Sequence, residues 1–131
     1  MNRIKRIHWN RLMNEINDKI LVVEDTFLIA MQLQMDLKSL GHQVAGPAPS
    51  VDRAFKLLDR EPIKAALLDI HLGNENSIPI ANRLRELKIP FLFITGFEQV
   101  DIESNEFDDH VLLRKPINLD QLSDAMGTLL E

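Results

Sequence analysis

The chain has 131 residues and a formal net charge of −5; 45% of the residues are hydrophobic, 27% are charged and none is cysteine. This size and composition fit one globular domain, and the lack of cysteine excludes disulfides, thiolate metal sites and cysteine nucleophiles. The acidic balance argues against non-specific nucleic-acid binding, which needs an excess of Lys and Arg. No apolar run approaches the ~18 residues of a membrane span, and the first residues lack the apolar core of a signal peptide. We therefore expect a cytoplasmic protein without nucleic-acid or membrane partners.

Residues 1–18 precede the first predicted strand. Within them, Trp9, Leu12, Met13 and Ile16 are spaced as one stripe of a helix. The pattern predicts a helical N-terminal extension over residues 1–18, followed by the main domain over residues 19–131. We expect this stripe to pack on the domain or on a second copy, as in a homodimer.

From residue 19 onward, short apolar runs alternate with longer segments at helical spacing. This alternation predicts an α/β fold in which helices cover both faces of a parallel sheet. The predicted strands are residues 20–24, 42–46, 63–69, 91–95 and 111–113, and the second of them should stop before Pro47 and Pro49. The predicted helices are residues 27–40, 51–60, 78–87 and the segment from residue 118 to 130, with Ser50 and Asn118 as N-caps.

Three parts of this pattern carry more specific expectations. In the first helix of the main domain, Leu28, Met31, Met35 and the later leucines are assigned to the apolar side. Residues 74–76 should form a loop. Residues 96–110 are rich in acids and carry few apolar residues, so they predict an irregular loop or a short, frayed helix.

Four of the apolar runs stop on polar residues suited to phosphoryl chemistry. The side chains concerned are Glu24 and Asp25 after the first strand, then Asp69, Thr95 and Lys115 at or after three later ones. In open α/β folds, ligands bind outside the carboxyl ends of the strands. We therefore expect these five residues to form one site at a single edge of the sheet.

The three carboxylates of this set predict a cation site. Glu24, Asp25 and Asp69 would repel one another unless a cation neutralised them. Hard oxygen ligands with room for water favour Mg²⁺, and the backbone carbonyl of His71 is a further candidate ligand. The side chain of His71 is interpreted as an ordinary loop residue.

The remaining groups predict phosphoryl transfer. Asp69 is the candidate nucleophile, because a carboxylate oxygen can attack phosphorus to form an aspartyl phosphate. Lys115, held before Pro116, can neutralise phosphoryl oxygens as a point charge. The hydroxyl of Thr95, followed by Gly96, can donate to the same group.

The acidic pair, the strand-end Asp, the Thr and the Lys-Pro, in this order and at spacings of the family's kind, resemble the receiver domain of two-component response regulators. The resemblance implies a doubly wound, flavodoxin-like sheet of five parallel strands in the order 2-1-3-4-5, here with an extra N-terminal helix. It implies that a histidine kinase or phosphotransfer protein phosphorylates Asp69 in a Mg²⁺-dependent reaction. Lys115 and Thr95 would bind the transferred group, while Asp25 would touch the ion and Glu24 would act through water. Such a protein is a phosphoacceptor rather than an enzyme, and it signals to a downstream protein target, relays phosphate or acts as a phosphate sink.

Residues 90–97, with the sequence Pro-Phe-Leu-Phe-Ile-Thr-Gly-Phe, are similar to the Phe-Ala-Thr-Gly segment of a class of single-domain bacterial receivers. These receivers are typically paired with HWE-type histidine kinases. One position departs from the usual pattern, since most receivers carry an aromatic residue or His where this chain has Leu112. We therefore expect residues 96–110 to be the switching element, with Phe97 and Phe107 as candidates for the moving ring.

Two other functions fit parts of the pattern. The first is a protein-binding module on the receiver fold that works without phosphorylation, but degenerate receivers usually lose the acidic pair, the Asp or the Lys. The second is a phosphatase with an aspartyl-phosphate intermediate. Such enzymes commonly have a second Asp two residues after the nucleophile, where this chain has His71, and they carry a cap insertion that this length does not accommodate.

Overall fold

The computed structural model describes residues 18–96 and 112–131. In these ranges the strands are β1 (Lys19–Val23), β2 (Gln43–Ala48), β3 (Ile63–Asp69), β4 (His71–Leu72), β5 (Glu75–Asn76), β6 (Phe91–Thr95) and β7 (Leu112–Arg114). The helices are α1 (Phe27–Ser39), α2 (Val51–Arg60), α3 (Ile78–Glu86) and α4 (Leu119–Leu129). The predicted N-terminal helix and nearly all of the predicted irregular segment at residues 96–110 lie outside the described residues. None of the described helices combines the length and the apolar character that a bilayer crossing requires.

The main sheet has five strands in the order β2-β1-β3-β6-β7, and every neighbouring pair in it is parallel. This confirms the predicted order, with β6 and β7 as the predicted fourth and fifth strands. Successive side chains of a strand point to opposite faces, and both faces are covered. On β1, Leu21 and Val23 pack in one core cluster with α2 and α3, while Ile20 and Val22 pack in the other with α1 and α4. Burial on both faces explains why these strands read as continuous apolar runs.

Two helix starts follow the predicted capping chemistry. Ser50 Oγ accepts a hydrogen bond from the backbone N–H of Arg53 at 3.2 Å. At the start of α4, Asn118 Oδ1 accepts from the Gln121 N–H at 2.8 Å, and the Asn118 N–H donates to Gln121 Oε1 at 3.1 Å. These reciprocal bonds satisfy backbone donors that the first turn leaves without partners. The cap residue, Asn118, is three residues after Lys115 and fixes where α4 begins.

The predicted apolar side of α1 is wrong for Leu28, Met31 and Met35, but it is right for Leu37. The residues that face the core are Ala30, Leu33 and Leu37, whereas Leu28 is 76% exposed and Met35 is 61% exposed. The first half of α1 is apolar around much of its circumference, so the spacing of apolar residues alone could not tell which side would meet the sheet.

The second strand does not stop before Pro47 as predicted, because β2 continues to Ala48. It lies at the edge of the sheet, where a proline without an N–H is tolerated. The pairing of β1 with β2 shifts register just before this end, and Gly46 adopts a φ of +95°. The extension matters for function, since the carbonyl of Ala48 accepts a hydrogen bond from the backbone N–H of Glu24 at 2.9 Å.

Residues 74–76 are likewise not a simple loop. β4 and β5 form an antiparallel hairpin in which His71 pairs with Asn76 and Leu72 pairs with Glu75. Each strand has only two residues, which is too short for an alternating pattern to be recognised in the sequence. The hairpin begins two residues after Asp69, so it lies directly beside the carboxyl end of β3.

We predict that Gly46→Ala destabilises the fold by about 3 kcal/mol, measured by urea unfolding. A Cβ at this position would lie 2.7 Å from Ala48 N and 2.9 Å from Val22 O, both of which are backbone atoms. The matched control is Gly41→Ala. Gly41 has a similar φ of +92°, but no atom of the described residues lies within 4 Å of the added Cβ. This control should cost only the conformational penalty of about 1–2 kcal/mol. Equal losses for the two variants would contradict the steric explanation.

Candidate functional site

The carboxyl ends of β1, β3, β6 and β7 meet at one edge of the main sheet. They do so because the strands are parallel and their ends are nearly level: Asp69 pairs with Ile94 on β6, and Thr95 pairs with Arg114 on β7. The backbone N–H of Lys115 donates to the carbonyl of Thr95 at 2.8 Å, which fixes the residue after β7. This edge carries the residues that the sequence pattern singled out, namely Glu24, Asp25, Asp69, Thr95 and Lys115.

The Lys115 ammonium joins two of the carboxylates. Its Nζ donates to both oxygens of Glu24, at 2.8 and 3.0 Å, and to Oδ2 of Asp69 at 3.0 Å. The Lys115 side chain is 16% exposed and that of Glu24 is fully buried. Buried charges are tolerated when they are paired and hydrogen-bonded, so this contact allows both carboxylates to remain inside the fold.

The other oxygen of Asp69 is held by the backbone. Asp69 Oδ1 accepts a hydrogen bond from the His71 N–H at 3.2 Å, and His71 is the first residue of β4. One oxygen of the Asp69 carboxylate is therefore hydrogen-bonded to Lys115, and the other is hydrogen-bonded to the first residue of the hairpin. Sequence reasoning assigned only the carbonyl of His71 to the site and missed this N–H, because no sequence signal for so short a hairpin was recognised.

The three acidic residues are arranged as a candidate cation site. One carboxylate oxygen each from Glu24, Asp25 and Asp69 lie within 4.8 Å of one another. Asp25 is exposed to solvent, whereas the other two are buried. Carboxylate oxygens open to water on one side match the ligand preference of Mg²⁺, which binds one or two carboxylates and keeps several waters. The residues present therefore fit such an ion.

Electrostatics also favour a cation here. The pKa of the Glu24 carboxyl is raised from 4.5 to about 7, chiefly by burial and then by the neighbouring Asp69, while Lys115 opposes both. Burial lowers the pKa of the Lys115 ammonium, but its bonds to Glu24 and Asp69 outweigh burial, and the net pKa lies above its ordinary value. One ammonium thus does not fully compensate the clustered carboxylates, and additional positive charge would relieve their repulsion.

Thr95 is fully buried at the end of β6, and the next residue, Gly96, lies against the lysine. A Cβ at Gly96 would be 3.7 Å from Cδ of Lys115. Beside this contact, a surface cavity of about 490 Å³ is lined by Leu28, Ile29, Gly96, Lys115, Pro116 and Ile117, among others. Sequence reasoning missed the contribution of α1 to this surface, because it assigned Leu28 to the core.

We predict that, in the metal-free protein, the free energy of unfolding of Glu24→Gln rises relative to that of the wild type as pH rises. A carboxyl whose pKa is raised by folding contributes stability below its unfolded value, and this contribution is lost as pH rises through the folded value. With the pKa raised from 4.5 to about 7, the difference should change by at most about 3 kcal/mol between about pH 4.5 and about pH 8. Urea unfolding of both proteins in EDTA measures it, and a pH-independent difference would contradict the prediction. Added Mg²⁺ should shrink the difference, because the ion neutralises Glu24.

Comparisons with known proteins agree with this geometry. A family model described as response regulator receiver domain matches residues 20–127. The chain is 28% identical over 112 residues to the sensory transduction protein LytT of Bacillus subtilis, which covers 82% of this chain and 46% of that protein. It is 30% identical over 101 residues to the phyllosphere-induced regulator PhyR of Methylorubrum extorquens, which covers 75% of this chain and 38% of that protein. The chain thus spans less than half the length of these two relatives.

Among solved structures, the solution structure of SdrG from Sphingomonas melonis Fr1 is similar over most of its length. The TM-score is 0.78 at 36% sequence identity, and the match covers 88% of this chain and 98% of that chain. Three findings agree: the family match, the parallel sheet in the order β2-β1-β3-β6-β7, and the acidic cluster at its carboxyl edge. This chain belongs to the response regulator receiver domain family.

Proposed function

We propose that this receiver accepts a phosphoryl group on Asp69 from a histidine kinase or phosphotransfer protein, and that it signals as a stand-alone protein. The proposal rests on the hydrogen bond that the Lys115 ammonium donates to Oδ2 of Asp69 at 3.0 Å. This contact lies within the cluster of the three carboxylates of Glu24, Asp25 and Asp69. Residues 19–131 form the receiver in this proposal, and residues 1–18 are an extension.

In the proposed reaction, a carboxylate oxygen of Asp69 attacks the phosphorus of a phosphohistidine. The new O–P bond forms as the P–N bond to the donor imidazole breaks, and the imidazole nitrogen keeps the electron pair. The His71 N–H holds Oδ1 of Asp69 and thereby orients the carboxylate. Lys115 then neutralises charge on the phosphoryl oxygens, and the hydroxyl of Thr95 donates a hydrogen bond to one of them. Once its contacts to Asp69 are shared with the phosphoryl group, Lys115 remains bonded to Glu24.

The acidic cluster is assigned to Mg²⁺, which would be held by Asp25, Asp69 and the backbone carbonyl of His71, with Glu24 acting through water. When bound, the ion supplies charge neutralisation for the phosphoryl oxygens and for the carboxylates. Asp25 is the better direct ligand because it is exposed, whereas both oxygens of Glu24 are bonded to Lys115.

Phosphorylation would shift an equilibrium between two conformations, because the phosphoryl contacts exist in only one of them. The output would be contact with a downstream protein, onward relay of phosphate or its loss as a sink. An HWE-type kinase is the proposed phosphodonor, in line with the resemblance of residues 90–97 to receivers that such kinases serve.

We predict that Asp69→Ala abolishes phosphorylation by acetyl phosphate or by a kinase in the presence of Mg²⁺. Phos-tag electrophoresis and intact-mass measurement would detect the single base-labile phosphoryl group of the wild type. The matched control is Asp59→Ala, since Asp59 is an exposed acid near the end of α2, and this variant should be phosphorylated like the wild type. Continued Mg²⁺-dependent labelling of a folded Asp69→Ala protein would disprove the assignment. A wild type that binds partners but takes up no phosphate would instead support the phosphorylation-independent module.

We further predict that Asp25→Asn weakens Mg²⁺ binding more than Glu24→Gln does. The comparison is made well above pH 7, where Glu24 is ionised. Both variants then remove one negative charge, so the comparison isolates direct contact from general electrostatics. Removing a residue that acts on the ion through water, as proposed for Glu24, typically lowers metal affinity about 10- to 100-fold. Removing the direct ligand Asp25 should lower the Mg²⁺ affinity more. Titration with Mg²⁺ followed by NMR measures both dissociation constants. An equal loss, or a larger one for Glu24→Gln, would contradict the ranking.

A further inference from the structure

A shallow groove lies at the end of the fold remote from Asp69. It has a volume of about 230 Å³ and is lined by Leu40, His42, Ser123, Met126, Gly127 and Leu130. The groove therefore runs between the chain that joins α1 to β2 and one side of α4. The groove has free space beside Gly127, because no atom of the described residues lies within 4 Å of a Cβ built there. A glycine inside an exposed helix lowers helix stability, but it permits close approach of another segment.

The α4 side of this groove is negatively charged, whereas Lys64 acts electrostatically on His42 at the other side. α4 contains Asp120 and Asp124 but neither Lys nor Arg, and Glu131 follows it. All three acids are exposed. A segment that covers the groove should therefore combine apolar side chains with positive charge.

Residues 1–17 have this combination. They contain Arg3, Lys5, Arg6 and Arg11 against the single acid Glu15, a net charge of +3, which leaves −8 on residues 18–131 of a chain whose total is −5. The same residues carry the apolar stripe of Trp9, Leu12, Met13 and Ile16. The stripe and the charges thus match the groove in both respects.

The groove is also within reach of this segment. Lys19, which begins β1, is paired with Gln43, and Gln43 directly follows the groove residue His42. Paired strands lie about 4.8 Å apart, so the chain enters the sheet beside the groove. From residue 9 to residue 16 a helix would span about 10 Å, the same length as from Ser123 to Leu130 along α4.

We propose that residues 1–17 dock in this groove of their own chain, with the stripe of Trp9, Leu12, Met13 and Ile16 against Met126, Gly127 and Leu130. The basic residues then face the acids of α4 and Glu131. Docking fixes the extension on the receiver at the edge opposite the phosphoryl site, and it leaves the exposed face of α1 and the cavity beside Lys115 uncovered. The proposal is independent of whether Asp69 is phosphorylated.

Trp9 is the only tryptophan in the chain, so its fluorescence reports docking directly in the full-length protein. We expect emission at shorter wavelength, and weaker quenching by acrylamide, than in the urea-unfolded chain. Both signals should be independent of protein concentration. NMR should show contacts between the Trp9 indole and the methyl groups of Leu130, which lines the groove and is exposed.

The test variant is Gly127→Gln, which fills the groove at a position with open space. Quenching of Trp9 should rise to the level of the unfolded chain while circular dichroism shows that the fold persists. The matched control is Thr128→Gln. Thr128 is an exposed neighbour that points about 100° away around α4, so this variant should leave Trp9 protected.

Two results would overturn the proposal. One is that Trp9 of the wild type is quenched as strongly as in the unfolded chain, and the other is that protection of Trp9 survives Gly127→Gln in a folded protein. Protection that appears only at high concentration would overturn it in favour of a second copy, and protection only upon addition of nucleic acid would overturn it in favour of that ligand.

Discussion

The hydrogen-bonded ion pairs of Lys115 with Glu24 and Asp69 are the contact on which the rest of the site depends. They join the ends of β1, β3 and β7, which are far apart in sequence. Charges removed from water cost free energy unless they are paired and hydrogen-bonded, and here one ammonium serves two carboxylates. Removing one partner of such a buried pair typically costs about 3–5 kcal/mol. The lysine therefore allows two acids to be held in the interior, where their mutual repulsion prepares the site for a cation.

The irregular features near the site act on the same carboxylates. The extension of β2 past Pro47 provides the Ala48 carbonyl that holds the backbone of Glu24. The hairpin of β4 and β5 provides the His71 N–H that holds Asp69. Both features lie at the end of the sheet where regular pairing stops, so the departures from regular structure give the acids fixed positions.

The surface around the site is apolar on one side. Phe27 and Leu28 at the start of α1 are well exposed. Leu28 lines the cavity beside Lys115, and Phe27 lines a second cavity together with Glu24 and Asp25. Contiguous exposed apolar groups are a feature of surfaces that meet other proteins. This agrees with the proposal that Asp69 receives a phosphoryl group from a protein and not from a small substrate.

The sequence by itself determined the strands that are buried on both faces, the capped helices, and the five residues that end four strands. It could do so because continuous apolar runs and capping residues are local signals, and because parallel strands bring their carboxyl ends to one edge. Only the tertiary structure decided that α1 buries Ala30 and Leu33 instead of Leu28 and Met35, since a helix that is apolar on several sides gains its orientation from the surface it packs on. Tertiary structure also decided that β2 passes Pro47, because only the position of a strand in the sheet shows whether the missing N–H is needed. The bonds from Lys115 and from the His71 N–H were likewise beyond the sequence, because they depend on distances between side chains and backbone brought together by folding.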